Sequence, residues 1–243
     1  MPDNRSPILY FQSVLYRFYA RLVHSMRSSS AIHRYLFGYT PLNNLPGEYW
    51  DWTTLAIRKA LRQILRSEMS LLDMGTGPVG VLAIYARLKL GCERVVAADH
   101  LPELVASAAE NAAGTAPGIR FVVSDLFQDI PEKFDVIVFN APYIDPHKGR
   151  LLGVIDSQLS EQRWSGGKDG LETIERFLAD APGHLIGGGC VILGVNRFYL
   201  PEKKLIEVVD NSAFQLRWKH NHCLTRSSAY ILEMKNHPSP PNL

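Results

Sequence analysis

The sequence predicts an α/β fold built on a doubly wound, seven-stranded and mostly parallel sheet. From Ser70 onward, short apolar runs alternate with amphipathic stretches, a pattern typical of a sheet with helices on both faces. A glycine-rich turn from Gly75 to Gly80 follows the first apolar run and precedes a helical stretch. The 243 residues, 46% of them hydrophobic, suffice for one such domain with an appendage but not for two full domains.

Residues 1–49 are predicted to form a short helical lid. Between residues 8 and 26 the apolar side chains step by three and four, which places them on one face of a helix. The serine run from Ser28 to Ser30 is expected to end this helix, and residues 41–47 are expected to form a loop. Of the 24 aromatic residues, 11 lie in the first 52 positions, which favours a lid that excludes water from a small substrate.

The α/β domain is predicted to span residues 50–235, and Asp51 is a candidate N-cap for its first helix. The predicted strands are residues 71–74, 94–98, 120–123, 134–139, 190–194, 214–219 and 229–234. Helices are predicted after Pro78, after Leu101 and over residues 170–185 and 201–210, and glycines 187–189 are predicted to form a turn. The tail, residues 236–243, contains three prolines and is expected to be disordered.

The composition argues against several classes of protein. The net charge of +2, with acids and bases interleaved, provides no basic stripe, so a nucleic-acid substrate is not expected. No apolar run approaches the roughly 18 residues of a membrane span, and we recognise no signal peptide. Cys92, Cys190 and Cys223 lack the spacing of a disulfide framework or a zinc site, so we expect a cytoplasmic protein without a metal.

The glycine-rich turn is the first candidate for a ligand site. Gly75, Gly77 and Gly80 satisfy the pattern G-x-G-x-x-G between a strand and a helix, where the backbone can approach a ligand closely. This pattern alone serves a nicotinamide dinucleotide as well as S-adenosyl-L-methionine. Asp73 favours the second ligand, because a carboxylate there would repel a pyrophosphate but pair with the amino group of a methionine moiety. We therefore predict S-adenosyl-L-methionine as the cofactor.

Residues after the next strands complete the predicted cofactor site. Asp99 ends the second strand, where an acid takes ribose hydroxyls, and Asp125 follows the third strand, where it can accept from an adenine amino group. His100 is also a candidate base. The predicted cofactor-binding residues are Asp73, Gly75, Thr76, Gly77, Asp99, His100, Asp125, Leu126 and Asn140.

Two further segments carry a family resemblance. The fourth strand ends in Asn140-Ala141-Pro142-Tyr143, and the segment from Trp164 to Leu171 reads Trp-Ser-Gly-Gly-Lys-Asp-Gly-Leu. Together with the turn after Asp73, they resemble the HemK-type N-methyltransferases, which modify a glutamine side-chain amide in translation release factors, and their relatives that methylate adenine. The resemblance runs from residue 50 to residue 234. It implies a class I, Rossmann-like, S-adenosylmethionine-dependent methyltransferase.

The resemblance also implies catalytic roles. In such families the tetrapeptide is Asn-Pro-Pro-Tyr: the asparagine carbonyl and a backbone carbonyl accept the hydrogens of the amide nitrogen, and the tyrosine ring packs on the planar group. Orientation of the nitrogen toward the methyl carbon supplies much of the acceleration. Carried over, Asn140 orients the nucleophile, Tyr143 stacks on it, and Pro142 completes the catalytic set.

The sequence departs from that family at two places. Ala141 replaces the first proline of the tetrapeptide, and the segment ahead of Trp50 is shorter than the helical recognition domain of the bacterial members. These departures favour a small-molecule substrate, or S-adenosyl-L-methionine itself, over a protein glutamine, which stays a possible acceptor.

Three functional hypotheses remain open at this point. The leading one is methyl transfer to an amide or amine nitrogen held by Asn140 and Tyr143. The alternative on the same fold is a cyclase of small-molecule biosynthesis, in which the amine of the cofactor attacks its own γ-carbon to give azetidine-2-carboxylate and methylthioadenosine. The third is a protein that binds the cofactor as a sensor or scaffold without turnover.

Overall fold

The computed structural model describes residues 22–42 and 49–235. The predictions for the helix before residue 22, for most of the 41–47 loop and for the 236–243 tail lie outside the described residues. In the described part, seven strands form one sheet in the order β3-β2-β1-β4-β5-β7-β6. Strands β1 to β5 pair in parallel, and β7 runs antiparallel to both β5 and β6. The predicted fold class is confirmed.

All seven predicted strands are present. Their bounds are Ser70–Met74 (β1), Arg94–Asp99 (β2), Arg120–Val123 (β3), Phe134–Asn140 (β4), Leu185–Asn196 (β5), Phe214–Asn221 (β6) and Ser227–Met234 (β7). Strand β1 is buried along its whole length, as expected for a central strand covered on both faces.

Helices cover both faces of this sheet. They are Ser30–Phe37 (α1), Trp52–Ile64 (α2), Val81–Lys89 (α3), Pro102–Ala113 (α4), Pro146–Leu151 (α5), Gln158–Trp164 (α6), Glu172–Asp180 (α7) and Glu202–Asn211 (α8). Residues 22–27 are also helical. Successive residues of β1 point to opposite faces, so Leu71 joins the core beneath α2 and α3, and Leu72 joins the core beneath α7 and α8.

Three local predictions need correction. Glycines 187–189 do not form a turn before the fifth strand but lie inside β5. There β5 carries a bulge, because the pair Phe134–Leu185 is followed by the pair Val136–Cys190. A Cβ on Gly189 would stand 2.9 Å from the Asp135 carbonyl oxygen, so the bulge leaves no room for a side chain.

The helices α1, α5 and α6 were not predicted as helices, and the predicted helix over 170–185 is shorter. It consists of α7 flanked by two 3₁₀ turns, Lys168–Gly170 and Ala181–His184. Helices α5 and α6 have only six and seven residues, too few for an apolar periodicity to appear in the sequence. Each is started by a side-chain cap, from Asp145 and from Ser157 respectively.

The N-cap prediction at Asp51 agrees with the structure. Its side chain accepts a hydrogen bond from the Thr54 backbone nitrogen, and the Asp51 backbone nitrogen donates one to the Thr54 hydroxyl. This capping box satisfies two donors that the first turn of α2 would otherwise leave unpaired. It also fixes the place of Asp51 at the start of a helix that packs on β4, β5 and β7.

The N-terminal segment is anchored to the domain by aromatic rings around a buried histidine. His33 is fully buried, and its ring lies 4.8 Å from Phe37, 4.6 Å from Tyr39 and 5.7 Å from Tyr49, between ring centroids. Neither ring nitrogen has a hydrogen-bond partner among the described residues. Burial therefore lowers the pKa of His33 from 6.5 to about 4.

This burial makes the stability of the N-terminal packing sensitive to mild acid. The unfolded chain takes up a proton at His33 near pH 6.5, whereas the folded chain does so only near pH 4. Stability is therefore lost as the pH falls through this window. We expect the free energy of unfolding of the wild type to fall between these pH values relative to that of His33→Phe. Denaturant unfolding at several pH values measures the difference, with His147→Gln, at an exposed histidine, as the control. Parallel pH profiles for wild type and His33→Phe would contradict this account.

Candidate active site

A cavity of about 1160 Å³ opens at the carboxyl ends of β1 to β4. This is the edge at which ligands bind in open α/β sheets. Its wall includes Met74, Gly75, Thr76 and Gly77 of the turn after β1, and Asp99, His100, Ser124, Asp125, Leu126, Phe139, Asn140 and Pro142 from the other strand ends. A second group of lining residues precedes the sheet in sequence, namely His24, Arg27, Tyr49, Trp50, Asp51 and Thr54. The volume exceeds that of most sites for a single small ligand, so both a cofactor and an acceptor have room.

The turn after β1 is shaped for close approach of a ligand. Gly75 and Gly77 have φ values of +65° and +64°, a backbone region that side chains disfavour. Apart from Gly77 and its two chain neighbours, no described residue has an atom within 4 Å of the position that a Cβ of Gly77 would occupy. A side chain there would therefore take up cavity space, and its absence leaves the backbone of the turn accessible.

Asp73 holds this turn together from below. Its Oδ2 accepts hydrogen bonds from the Thr76 hydroxyl at 2.8 Å and from the Ala83 backbone nitrogen at 3.1 Å. The side chain is buried and does not line the cavity among the described residues. Burial raises the pKa of Asp73 to about 7, against the opposite effect of its two hydrogen bonds. Asp73 thus orders the turn through these contacts, and its direct pairing with an amino group stays a prediction.

Asp99 lies at the cavity wall, as predicted. One carboxylate oxygen accepts from the Gly77 backbone nitrogen at 3.0 Å, and the other accepts from the Leu101 backbone nitrogen at 3.2 Å. The oxygen that accepts from Gly77, Oδ2, keeps a lone pair for a further donor, whereas Oδ1 also faces His100. His100 lies 3.3 Å from the same carboxylate, and the pKa of His100 is raised mainly by this hydrogen bond. Asp99 thus links the end of β2 to the turn after β1.

Asp125 and Leu126 form the cavity wall beyond β3. The Asp125 carboxylate accepts from Arg176 of α7 at 2.7 Å, and both side chains are about half exposed. Leu126 is buried with a φ of +51°, an uncommon conformation for a side chain of its size. The Ser124 hydroxyl donates to the Leu126 carbonyl oxygen at 2.7 Å and so stabilises this bend.

Two residues of the tetrapeptide after β4 line the cavity, and the other two are buried in the core. Asn140 and Pro142 line the cavity, whereas Ala141 and Tyr143 are 2% and 5% exposed. The Asn140 Nδ2 donates to Asp51 at 3.5 Å, and its Oδ1 is buried with no hydrogen-bond partner among the described residues. An unpaired buried acceptor costs about 1–3 kcal/mol, and a ligand donor would remove that cost.

Tyr143 has a different place from the predicted one. Its hydroxyl lies 3.4 Å from the Thr53 hydroxyl, which in turn donates to Ser227 at 3.2 Å. Burial raises the pKa of this phenol, so it stays protonated. The ring is in the core and does not line the cavity among the described residues, so its contacts here hold the strand end. Stacking of this ring on an acceptor stays a prediction.

The glycine-rich segment after α6 docks on this tetrapeptide. The Ile144 backbone nitrogen donates to the Trp164 carbonyl at 3.0 Å, and the Gly166 nitrogen donates to the Ile144 carbonyl at 3.0 Å. A Cβ on Gly170 would collide with the Tyr143 carbonyl oxygen. The glycines of this segment are therefore required by close backbone approach.

Sequence reasoning missed several residues at the cavity. Trp50, Asp51, Phe139 and Trp164 line it. Trp50 is 5% exposed, and its indole nitrogen has no hydrogen-bond partner among the described residues. Trp164 could have been found, since it belongs to the segment that carries the resemblance. The sequence around Asp51 indicated only a helix N-cap and not a place at the cavity.

Comparisons with known proteins find similarity to methyltransferases. A family model described as ribosomal protein L11 methyltransferase matches residues 51–142. A putative protein N5-glutamine methyltransferase of Methanocaldococcus jannaschii is 35% identical over 57% of this chain and 66% of its own length. A release factor glutamine methyltransferase of Cereibacter sphaeroides is 35% identical over 52% of this chain and 46% of its own. The crystal structure of a methyltransferase from Pyrococcus furiosus covers 89% of this chain and 96% of its own, with a TM-score of 0.64 and 22% identity, which shows a shared fold.

These matches show a class I S-adenosylmethionine-dependent methyltransferase domain in this chain. The resemblance inferred from the sequence is confirmed, and so is S-adenosyl-L-methionine as the cofactor of this class. The residues at the cavity fit that cofactor, because the open turn at Gly77 and the unfilled lone pair of Asp99 Oδ2 meet at one wall. This methyltransferase chain spans about two thirds of the Methanocaldococcus relative and about half of the Cereibacter relative.

The sequence also led to predictions about a metal site, a membrane-spanning helix and an N-terminal lid. Within residues 22–42 and 49–235, no group of three acidic, histidine or cysteine side chains could hold a metal ion, and no helix is long and apolar enough to cross a membrane. The cytoplasmic location stays a prediction. The lid at residues 1–49 also stays one, although His24 and Arg27 from this segment line the cavity.

Proposed function

We propose that this methyltransferase transfers a methyl group to the nitrogen of a carboxamide, and that Asn140 orients this nitrogen. The observation that carries the proposal is the unpaired, buried Oδ1 of Asn140 in the wall of the cavity that also contains the glycine-rich turn. An acceptor N–H would satisfy this oxygen. The relatives named as glutamine methyltransferases support a glutamine side chain of a protein as the amide.

A second unpaired atom favours an amide over an amine. The Trp50 indole nitrogen is a buried donor without a partner among the described residues, and Trp50 is adjacent to Asp51, which contacts Asn140. A primary carboxamide presents a carbonyl acceptor and two N–H donors, and therefore complements one donor and one acceptor of the protein. An amine presents no carbonyl.

The cofactor roles follow from the positions of the strand ends. Gly75, Thr76 and Gly77 would hold the methionine part through the backbone, with Asp73 ordering the turn beneath them. Asp99 would take a ribose hydroxyl with the free lone pair of its Oδ2, assisted by His100. Asp125 and Leu126 would face the adenine, the first by accepting from its amino group.

The reaction needs orientation more than acid or base strength. When bound, S-adenosyl-L-methionine would supply an electrophilic methyl group on a sulfonium: the S–CH3 bond would break as the C–N bond forms, S-adenosylhomocysteine would leave, and the acceptor nitrogen would lose one proton to water. Asn140 accepts one N–H of the acceptor and limits its rotation, which converts an encounter into a near-attack arrangement. Pro142 lines the same wall, and Tyr143 fixes the strand end through Thr53. The wall from Tyr49 to Asp51 limits water near the acceptor nitrogen.

The cyclase alternative receives no support from the comparisons, since every relative named above is a methyltransferase. The same holds for the preference for a small-molecule substrate, since two of these relatives are named for a glutamine. Mass spectrometry of the purified protein with S-adenosyl-L-methionine separates the reactions. We expect intact cofactor without an acceptor, and one added methyl group on a glutamine when a translation release factor is supplied. Azetidine-2-carboxylate with methylthioadenosine would establish cyclisation instead.

Replacement of Asp99 tests the ribose assignment. Asp99→Ala should weaken cofactor binding by about 1.5–3 kcal/mol, or roughly ten- to hundredfold in Kd, because hydrogen bonds to a charged acceptor are lost. Calorimetric titration measures the Kd. Asp99→Asn removes the charge but keeps an acceptor for the Gly77 N–H. Comparison of the two variants therefore distinguishes an effect of the lost charge from an effect of a disordered turn. Asp180→Ala removes an exposed carboxylate as the control. An unchanged Kd in Asp99→Ala would refute the assignment.

Replacement of Asn140 tests the acceptor assignment. Asn140→Ala should leave the Kd of the cofactor nearly unchanged and lower kcat about a hundredfold, because the acceptor nitrogen is no longer oriented. Asn211→Ala, at an exposed asparagine, is the matched control. If cofactor binding and kcat fell together, Asn140 would be a cofactor ligand instead.

A further inference from the structure

We propose that Asp51 is the positioning residue that selects the orientation of the Asn140 side-chain amide, so that its Oδ1 is the atom left for the acceptor. The inference rests on the proposed function, since it concerns the same acceptor nitrogen. Asp51 lies outside the cofactor turn and the strand-end motifs, and it is brought to the site by the start of α2.

One carboxylate oxygen of Asp51 joins the helix cap to the site. The Oδ1 accepts from the Thr54 backbone nitrogen at 2.6 Å and from the Thr54 hydroxyl at 2.7 Å. The same oxygen accepts from the Asn140 Nδ2 at 3.5 Å. The two short bonds hold the carboxylate at the helix N-terminus, so Asn140 meets an acceptor whose position is already determined.

This acceptor discriminates between the two orientations of an amide group. With Nδ2 toward Asp51, the pair is a donor facing a carboxylate. If the amide were turned by half a rotation, Oδ1 would face the carboxylate, and two negative oxygens would repel each other. Asp51 therefore keeps Oδ1 directed away from itself, as the unpaired acceptor of the site.

Helix α2 acts on the backbone of the same strand end through a separate contact. Thr53, two residues after Asp51, lies 3.4 Å from the Tyr143 hydroxyl. The Thr53 contact fixes the backbone path after β4, whereas the Asp51 contact fixes the rotation of one side chain. Loss of the Asp51 side chain should therefore change the orientation of the Asn140 amide and leave the backbone path after β4 unchanged.

The role of Asp51 as a helix cap must be separated from its role at Asn140. Serine and asparagine cap helices about as well as aspartate. In Asp51→Ser the cap remains, but the shorter side chain does not reach Asn140. In Asp51→Asn the cap remains, and the amide oxygen, held by Thr54, still faces the Asn140 Nδ2.

Kinetics with the amide acceptor distinguish these two variants. We expect Asp51→Ser to lower kcat about ten- to hundredfold through misorientation, with an unchanged unfolding midpoint and cofactor Kd. Asp51→Asn should recover most of kcat. Wild-type kcat in Asp51→Ser would overturn the proposal. An equal loss in both variants would also overturn it, because charge rather than orientation would then be responsible.

A spectroscopic measurement tests the contact without turnover. The side-chain amide resonances of Asn140 in ¹⁵N-labelled protein are assigned by their loss in Asn140→Asp. In Asp51→Ser they should shift and exchange hydrogen faster, and in Asp51→Asn they should stay near their wild-type positions. Unchanged resonances in Asp51→Ser would overturn the proposal. Full activity of Asn140→Ala would instead overturn the proposed function, while the resonance shift would still report the contact.

Discussion

Parallel pairing of β1 with β2 and with β4 places three strand ends at one level of the sheet. Met74, the last residue of β1, is in register with Ala98 of β2 and with Phe139 of β4. The next residues, Gly75, Asp99 and Asn140, therefore share one edge. The hydrogen bond from the Gly77 backbone to Asp99 and the cavity wall at Asn140 both depend on this register. A shift by one residue would turn each side chain to the opposite face and remove the site.

The acceptor side of the cavity depends on a second constraint, the N-terminus of α2. Its first turn contacts Asn140 through Asp51 and Tyr143 through Thr53. The preceding residue, Trp50, is linked to the helical residues 22–27, because the Arg27 guanidinium donates to its carbonyl oxygen at 2.8 Å. The segment before the sheet is thus connected to the proposed site of methyl transfer by hydrogen bonds and not only by apolar packing.

The alanine at position 141 has a structural explanation within this arrangement. Ala141 is buried, and the backbone around it is held from both sides, by the Thr53 hydroxyl against Tyr143 and by the backbone bonds between Ile144 and the segment after α6. The path of the tetrapeptide is therefore maintained by tertiary contacts that do not require a proline ring at this position.

The sequence by itself determined the seven strands, the helix cap at Asp51, the class of the protein and the cofactor, because these depend on local periodicity and on residues close to one glycine-rich turn. It did not reveal that glycines 187–189 lie inside β5, since a bulge exists only against a partner strand. Nor did it reveal that Asn140 and Tyr143, three residues apart, have different surroundings. Asn140 lies on the cavity wall, whereas Tyr143 lies in the core. The contact between Asp51 and Asn140 joins residues 89 positions apart. Only the tertiary structure decided it, because the packing of α2 on the sheet brings those two side chains together.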